Sequence, residues 1–192
     1  MAIAAPDAGW IGSWSPGIGD PTVAGWATTV FYFGTVFQVW RVMRALDPGS
    51  FDRRIWQLLF LCMLALGINK QLDLQTALTE AGRILAHRQG WYEERGEVQK
   101  AFIAALAGAA AAGCLAIAVI ARHAPPATRL ALCGIVVLTA FVLIRAASFH
   151  HVDTLLGMHA AGLRVNFILE NSGIALVLLA AGLRLRGAPA RG

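Results

Sequence analysis

The sequence predicts an all-α membrane protein: a bundle of five transmembrane helices with its N-terminus outside and its C-terminus in the cytoplasm. Five long apolar stretches predict the helices, and the placement of Lys and Arg between them predicts the orientation. Of the 192 residues, 57% are hydrophobic and 14% are charged, so too little polar material remains to cover five such helices in water. The predicted spans are residues 23–43, 55–72, 101–121, 130–147 and 165–183.

The lengths of these spans and the charges between them agree with a bilayer. Each span has 18 to 21 residues, which as an α-helix cover about 27 to 32 Å and match a hydrocarbon core of about 30 Å. Short loops rich in Lys and Arg stay on the cytoplasmic side. The first and third connections and the C-terminal tail carry nine basic residues and two acids, whereas the opposite side carries seven basic residues and nine acids. The net charge of +5 is therefore a topology signal, and we exclude nucleic acid as a partner.

The first part of the chain divides into a tail and two antiparallel spans. Residues 1–22 are expected to form an outer N-terminal surface tail, because they are rich in Gly and Pro and lack the basic segment that begins a signal peptide. Residues 23–187 form a single membrane domain. Trp26 and Trp40 lie at the two ends of the first span, at the headgroup level that Trp prefers. The turn sequence Asp-Pro-Gly at 47–49 then leads into the second span.

The later elements are justified by periodicity and side-chain size. Apolar residues recur at helical spacing over residues 73–89, which predicts an amphipathic outer interfacial helix between spans two and three, or alternatively a lid over the bundle. The third span is rich in Ala and Gly, which permit close helix approach, so we expect it near the centre of the bundle. Residues 188–192 form a cytoplasmic tail.

Polar residues gather at the outer ends of spans two, four and five, and they predict a polar pocket there. The pocket residues are Asn69, Lys70, Asp73, Arg145, Ser148, His151, Asp153, Asn166, Glu170 and Asn171. Glu170 is the most informative of them, since it lies about one turn inside span five, where an ionised carboxylate facing lipid would cost several kcal/mol. We therefore expect Glu170 to face the bundle and to pair with Arg145 or Lys70, with Asn166 and Asn171 as its hydrogen-bond partners.

The histidines give a second interpretation of the same region. Imidazole and carboxylate groups suit zinc and iron, and a candidate metal site would draw on His150, His151, Asp153, His159 and Glu170. Adjacent residues on a helix point about 100° apart, so only one of the paired histidines would join a given site unless the helix has already ended. The same pair could supply an axial ligand of a haem, although a haem with two histidine ligands would need them on facing spans. A Ser148, His151 and Asp153 hydrolytic site is disfavoured, because known triads draw on separate elements.

Two functions remain open at this stage. The first is an accessory or small-ligand- or lipid-binding membrane protein, and the second is a membrane-embedded metal-dependent hydrolase or a haem or quinone redox protein. Expected partners are membrane lipid, a quinone or small periplasmic ligand, and either another membrane protein or a second copy of the chain. The compact loops and the Ala- and Arg-rich composition are typical of the bacterial cytoplasmic (inner) membrane. The sequence leaves open whether the protein is an enzyme.

Overall fold

The computed structural model describes residues 9–90, 95–146, 159–160 and 163–187. Apart from two paired strands of two residues each, the regular structure of these residues is helical, as predicted. The elements are α1 (Val23–Ala45), α2 (Phe51–Leu72), α3 (Leu74–Gln89), α4 (Arg95–Ala121), α5 (Pro126–Ala146), β1 (His159–Ala160), β2 (Leu163–Arg164) and α6 (Val165–Arg186). Strands β1 and β2 pair antiparallel immediately before α6 begins. Each of the five apolar stretches falls on its own helix, and the predicted interfacial segment falls on α3.

Among the residues that the structure describes, two helices are long and apolar enough to cross a bilayer. They are α2 over its full length, Phe51–Leu72, and the segment Asn166–Arg186 of α6. Shorter apolar segments lie in α4 and α5, at Ala107–Ala121 and Pro126–Val142. Helix α1 has 23 residues, but threonines interrupt its apolar sequence and bond to backbone carbonyls one turn earlier. A membrane bundle is thus compatible with the fold, and two candidate spans are present by length and composition.

Side-chain caps fix where the helices begin and end. The Thr22 hydroxyl accepts a hydrogen bond from the Gly25 N–H at 3.0 Å, which starts α1. The backbone of Asp73 is left-handed, with φ of 47°, and it ends α2. Oδ1 of Asn69 then accepts from the Leu74 N–H at 3.1 Å, and the Asp73 carboxylate accepts from the Thr76 hydroxyl at 2.6 Å, so α3 begins at once. This sharp junction fixes Lys70 in the last turn of α2.

Helices α1, α2, α5 and α6 surround one apolar core. The most extensive contact joins α5 to α6, and α1 packs against both α2 and α6. The largest fully buried apolar side chains are Trp56, Tyr32, Met63, Leu138, Ile174, Val39, Val42 and Val177. The outward faces of the same helices are also apolar, and their exposed side chains include Val30, Phe33, Phe37, Leu58, Leu61 and Leu179.

The prediction that the third span lies at the centre of the bundle is wrong for the described residues. Helix α4 makes its main contact with α5 alone, and a side chain added at Gly108 or Gly113 would meet nothing within 4 Å. Small residues permit close approach, but they do not specify which helix approaches. The close approach instead joins Gly134 of α5 to Gly173 of α6, where an added Cβ would meet backbone oxygen of the facing helix at 2.9 to 3.1 Å.

The bundle has two ends, which we name after their buried charges. At the Lys70 end, α1 and α6 begin while α2 and α5 finish; at the Arg184 end, α2 and α5 begin while α1 and α6 finish. Each end contains a network of charged and polar side chains that links helices far apart in sequence.

Candidate functional site

Lys70 is the centre of a charged group at the Lys70 end. Its Nζ lies 3.0 Å from Oε2 of Glu170 and 3.3 Å from Oδ2 of Asp20. The side chains become more exposed in the order Glu170 (5%), Lys70 (11%) and Asp20 (34%). The group therefore runs from the bundle interior towards the surface. Charges buried to this degree are tolerated only when they are paired, and the ammonium of Lys70 pairs with both carboxylates.

The segment before α1 brings Asp20 to Lys70 by crossing the end of α2. The Gly19 N–H donates to the Gln71 carbonyl at 2.6 Å, and the Asp20 N–H donates to Oε1 of Gln71 at 3.4 Å. A Cβ at Gly19 would come within 2.9 Å of the Gln71 carbonyl oxygen, so only glycine permits this approach. The Gln71 amide also donates to the Thr29 hydroxyl of α1 at 3.0 Å. Gln71 thus ties the segment, α1 and α2 together beside the charged group.

The environment of Asp20 keeps its carboxyl group ionised. Partial burial acts to raise the pKa of Asp20, but hydrogen bonds from Thr22 and the charge of Lys70 outweigh burial and lower the pKa below its usual value of 3.8. The Thr22 hydroxyl donates to Oδ1 of Asp20 at 2.6 Å. Asp20 is therefore negatively charged at neutral pH, with its other oxygen directed at Lys70.

Helices α1 and α6 add polar groups around Glu170. The Tyr32 side chain is buried, 1% exposed, and together with Glu170 it lines a cavity at this end of the bundle. Asn171 donates to the Thr28 hydroxyl at 3.2 Å and to the Phe167 carbonyl at 2.8 Å, so it ties α6 to α1. The prediction that Asn171 bonds to Glu170 is therefore wrong. The buried Oδ1 of Asn166 has no hydrogen-bond partner within the described part of the chain, so the predicted role of Asn166 is not seen there either.

A cavity of about 170 Å³ adjoins the charged group. Its polar lining consists of Asp20, Tyr32, Asn69, Lys70, Asp73 and Glu170. Leu66, Phe141 and Val142 supply apolar walls from α2 and α5. The volume is well below the roughly 300 Å³ at which pockets for drug-sized molecules begin, so it suits a headgroup-sized ligand better than a haem.

The structure brings four of the predicted pocket residues to this cavity, namely Asn69, Lys70, Asp73 and Glu170. Two of them also lie at helix ends: Oδ1 of Asn69 accepts from the Leu74 N–H at 3.1 Å at the start of α3, and Asp73 is the residue that ends α2. Arg145 lies in the last turns of α5, but its side chain is not among those described. Of the two predicted counter-charges for Glu170, Lys70 is the one found in contact with it.

The proposed metal ligands fall largely outside the described residues. His150, His151 and Asp153 lie there, as does the pocket residue Ser148, and the side chain of His159 in β1 is not described. Within the described ranges, no three His, Cys, Asp or Glu side chains are grouped to hold a metal ion. The metal and haem hypotheses therefore stay predictions.

Sequence reasoning missed two residues of the site, Asp20 and Tyr32. The sequence predicts Asp20 to lie in a surface tail, because nothing local shows that the tail folds back over α2. The signal for Asp20 is the sequence Asp-Pro-Thr at 20–22, in which the threonine caps α1 and so fixes the position of the residues just before the helix. The signal for Tyr32 was a phenolic hydroxyl in the middle of an apolar helix, where a buried O–H needs a partner.

A second network, at the Arg184 end, was also missed. The Trp56 indole N–H donates to the Thr128 hydroxyl at 3.1 Å, and that hydroxyl donates to Oδ1 of Asp52 at 2.7 Å. Arg184 completes the network, with its Nε 2.9 Å from Oδ2 of Asp52. The network joins α2, α5 and α6 through a tryptophan and a threonine that are both fully buried. Because its bonds link side chains of three helices, we infer that the network holds the helices together.

Replacing Thr128 with Val should destabilise the protein by about 1 to 3 kcal/mol, because it leaves the buried Trp56 N–H without an acceptor. Replacing Thr128 with Ser keeps the hydroxyl and serves as the matched control. The measurement is the free energy of unfolding of both variants in the same detergent. Equal stability of the two variants would show that the hydroxyl contributes nothing to the fold.

Comparison with known proteins adds no relative to this picture: no family model, no curated protein and no solved structure matches the chain.

Proposed function

We propose that the chain is a five-span integral membrane protein of the bacterial inner membrane, with its N-terminus outside and its C-terminus in the cytoplasm. Its cavity at the Lys70 end opens to the non-cytoplasmic face and binds a small polar ligand or a lipid headgroup without catalysis. The observation that carries this proposal is the buried ion pair of Lys70 and Glu170 in the wall of a cavity.

The exterior of the bundle supports the membrane part of the proposal. Soluble monomers rarely expose large contiguous apolar patches, whereas α1, α2 and α6 expose many large apolar side chains along their outward faces. Trp40 and Arg44 stack at the end of α1, with the guanidinium 5.5 Å from the ring centroid, as suits a headgroup boundary. Two helices have the length and apolarity to span the bilayer, and the charge asymmetry of the loops supplies the orientation.

The geometry of the charged group supports ligand binding. Charged residues are costly inside a membrane protein, and those that occur face the bundle interior or a water-filled cavity and often mark a functional site. The Lys70–Glu170 pair meets this description, since both side chains line a cavity of about 170 Å³. The cavity also offers the Asn69 amide and a third carboxylate, Asp73, to an incoming group.

The test is retention of a bound species by the protein purified in mild detergent, measured by native mass spectrometry. Val142→Trp would fill the cavity from its apolar wall without changing a charge. Val119→Trp makes the same change on the exposed face of α4 and serves as the control. We expect the wild type and the Val119 variant to retain a bound species and the Val142 variant to lose it. Absence of any bound species from the wild type, or equal retention by all three proteins, would contradict the proposal.

The alternative function, a metal-dependent hydrolase or a haem or quinone redox protein, depends on histidines outside the described residues. Elemental analysis and an absorbance spectrum of the same purified protein separate the two functions. Bound zinc, bound iron or a Soret band would favour the alternative. The cavity would then not be the main functional site of the protein.

A further inference from the structure

The charges around the cavity define the kind of ligand that fits it. Among its described lining residues, the carboxylates of Asp20, Asp73 and Glu170 stand against the single ammonium of Lys70. An anion entering alone would meet three carboxylates. A cation entering alone would compete with Lys70, which already pairs with Asp20 and Glu170 at 3.3 and 3.0 Å. Neither single charge is well suited to the site.

A ligand with both charges avoids these conflicts. Moving a net charge from water into a site of low dielectric constant is costly, whereas a zwitterion brings no net charge and can form two ion pairs. Lys70 and Asp20 are the exchangeable partners, since their side chains are 11% and 34% exposed while Glu170 is 5% exposed. The ligand's anionic group would take the place of Asp20 beside Lys70, and its ammonium would pair with the released Asp20 carboxylate.

The lining, the volume and the depth of the cavity also favour a ligand with both charges. Its aromatic residues, Tyr32 and Phe141, line the space beside the carboxylates, and aromatic faces attract ammonium groups. Its volume of about 170 Å³ admits a headgroup but not a large ring system. On the proposed topology the cavity lies where the helices end, at the depth of phospholipid headgroups.

We infer that the cavity binds an ammonium–phosphate zwitterion of the ethanolamine type, with its phosphate on Lys70 and its ammonium on Asp20. This inference rests on the proposed function and narrows it to one class of ligand. The same chemistry is carried by the free phosphodiester glycerophosphoethanolamine and by the headgroup of phosphatidylethanolamine, each with one negative and one positive charge.

The experiment compares probes on the full-length protein in detergent by the concentration dependence of its thermal unfolding. The probes are glycerophosphoethanolamine, ethanolamine, inorganic phosphate, and short-chain phosphatidylethanolamine and phosphatidylglycerol. We expect the ethanolamine zwitterions to bind at least about tenfold more tightly than ethanolamine, phosphate or phosphatidylglycerol, since each loses one charged contact. Binding of both zwitterions would identify the headgroup as sufficient, whereas binding of the lipid alone would identify the membrane as the source.

Variants separate the site from general effects. Asp20→Asn should weaken binding of the zwitterion by about tenfold or more, and it should still fold because Asp20 is the most exposed member of the charged group. Glu80→Gln changes an acidic side chain of α3 that does not line the cavity, so it should bind as the wild type does. Unchanged binding by Asp20→Asn would overturn the inference, as would equal or tighter binding of a singly charged probe. If no zwitterion binds while the wild type still retains a species in native mass spectrometry, the ligand class is wrong and the proposed function stands.

Discussion

Replacing Lys70 with Met should lower the free energy of unfolding by about 3 to 5 kcal/mol, because it leaves the Glu170 carboxylate buried without its counter-charge. Removal of one partner from a buried ion pair costs far more than the pair contributes, since the remaining charge keeps its desolvation penalty. Asp20 would lose the same partner, but its side chain is exposed enough to be solvated by water. The measurement is reversible unfolding in a fixed detergent.

Two controls make the Lys70 result specific. Combining Lys70→Met with Glu170→Gln removes both charges, so the double variant should recover a large part of the lost stability, and a double-mutant cycle measures the coupling. Arg41→Met removes an exposed cation that donates to the Gln38 side chain at 3.1 Å, and it should cost no more than about 1 kcal/mol. The ion-pair description fails if Lys70→Met is no more harmful than Arg41→Met, or if the second substitution restores nothing.

Gly134→Ala should destabilise the bundle by about 1 to 3 kcal/mol, because the new methyl group has no space between α5 and α6. A Cβ at Gly134 would lie 2.9 Å from the backbone oxygen of Gly173 and 2.8 Å from Val177, and a backbone contact can be relieved only by moving a helix. This interface is the most extensive in the bundle, and it positions Glu170 one turn before Gly173. We expect Gly134→Leu to prevent assembly of the native bundle.

The control is the same substitution in α4, where we expect a change in stability of the opposite sign. Gly108 of α4 has nothing within 4 Å of an added Cβ, so Gly108→Ala should stabilise the helix by about 0.5 to 1 kcal/mol through helix propensity alone. Thermal unfolding of the two variants in one detergent provides the comparison. Effects of equal sign and size at the two positions would mean that α5 and α6 do not approach each other as described.

The helices were predictable because the signal for each is local. A long apolar stretch and a capping residue lie within one segment of sequence, so the boundaries of α3 and α6 could be given closely. The pairing of Lys70 with Glu170 was also foreseeable as one of two alternatives, since an acid one turn inside an apolar span requires a counter-charge. The structure shows the contact with Lys70, and the side chain of Arg145 is not among those described.

The missed features all depend on contacts between distant segments. Asp20 reaches Lys70 through backbone hydrogen bonds to Gln71, which no pattern in the first 22 residues encodes. Asp52 and Arg184, 132 residues apart, each look like ordinary charges at a helix end until the bundle brings them together. The predicted position of α4 was wrong for a similar reason. A small residue allows another helix to pack closely, but the rest of the fold decides whether a helix lies there.

Cysteine accessibility in sealed spheroplasts tests the central claim, that five spans place the Lys70 end outside and the Arg184 end inside. The three native cysteines are first replaced, and single cysteines are then introduced at the exposed positions Ser13, His123 and Arg186. A membrane-impermeant maleimide should label the Ser13 position in intact spheroplasts, and the other two only after permeabilisation. Labelling of the Ser13 and Arg186 positions from the same side, or recovery of the protein in the soluble fraction, would contradict the account.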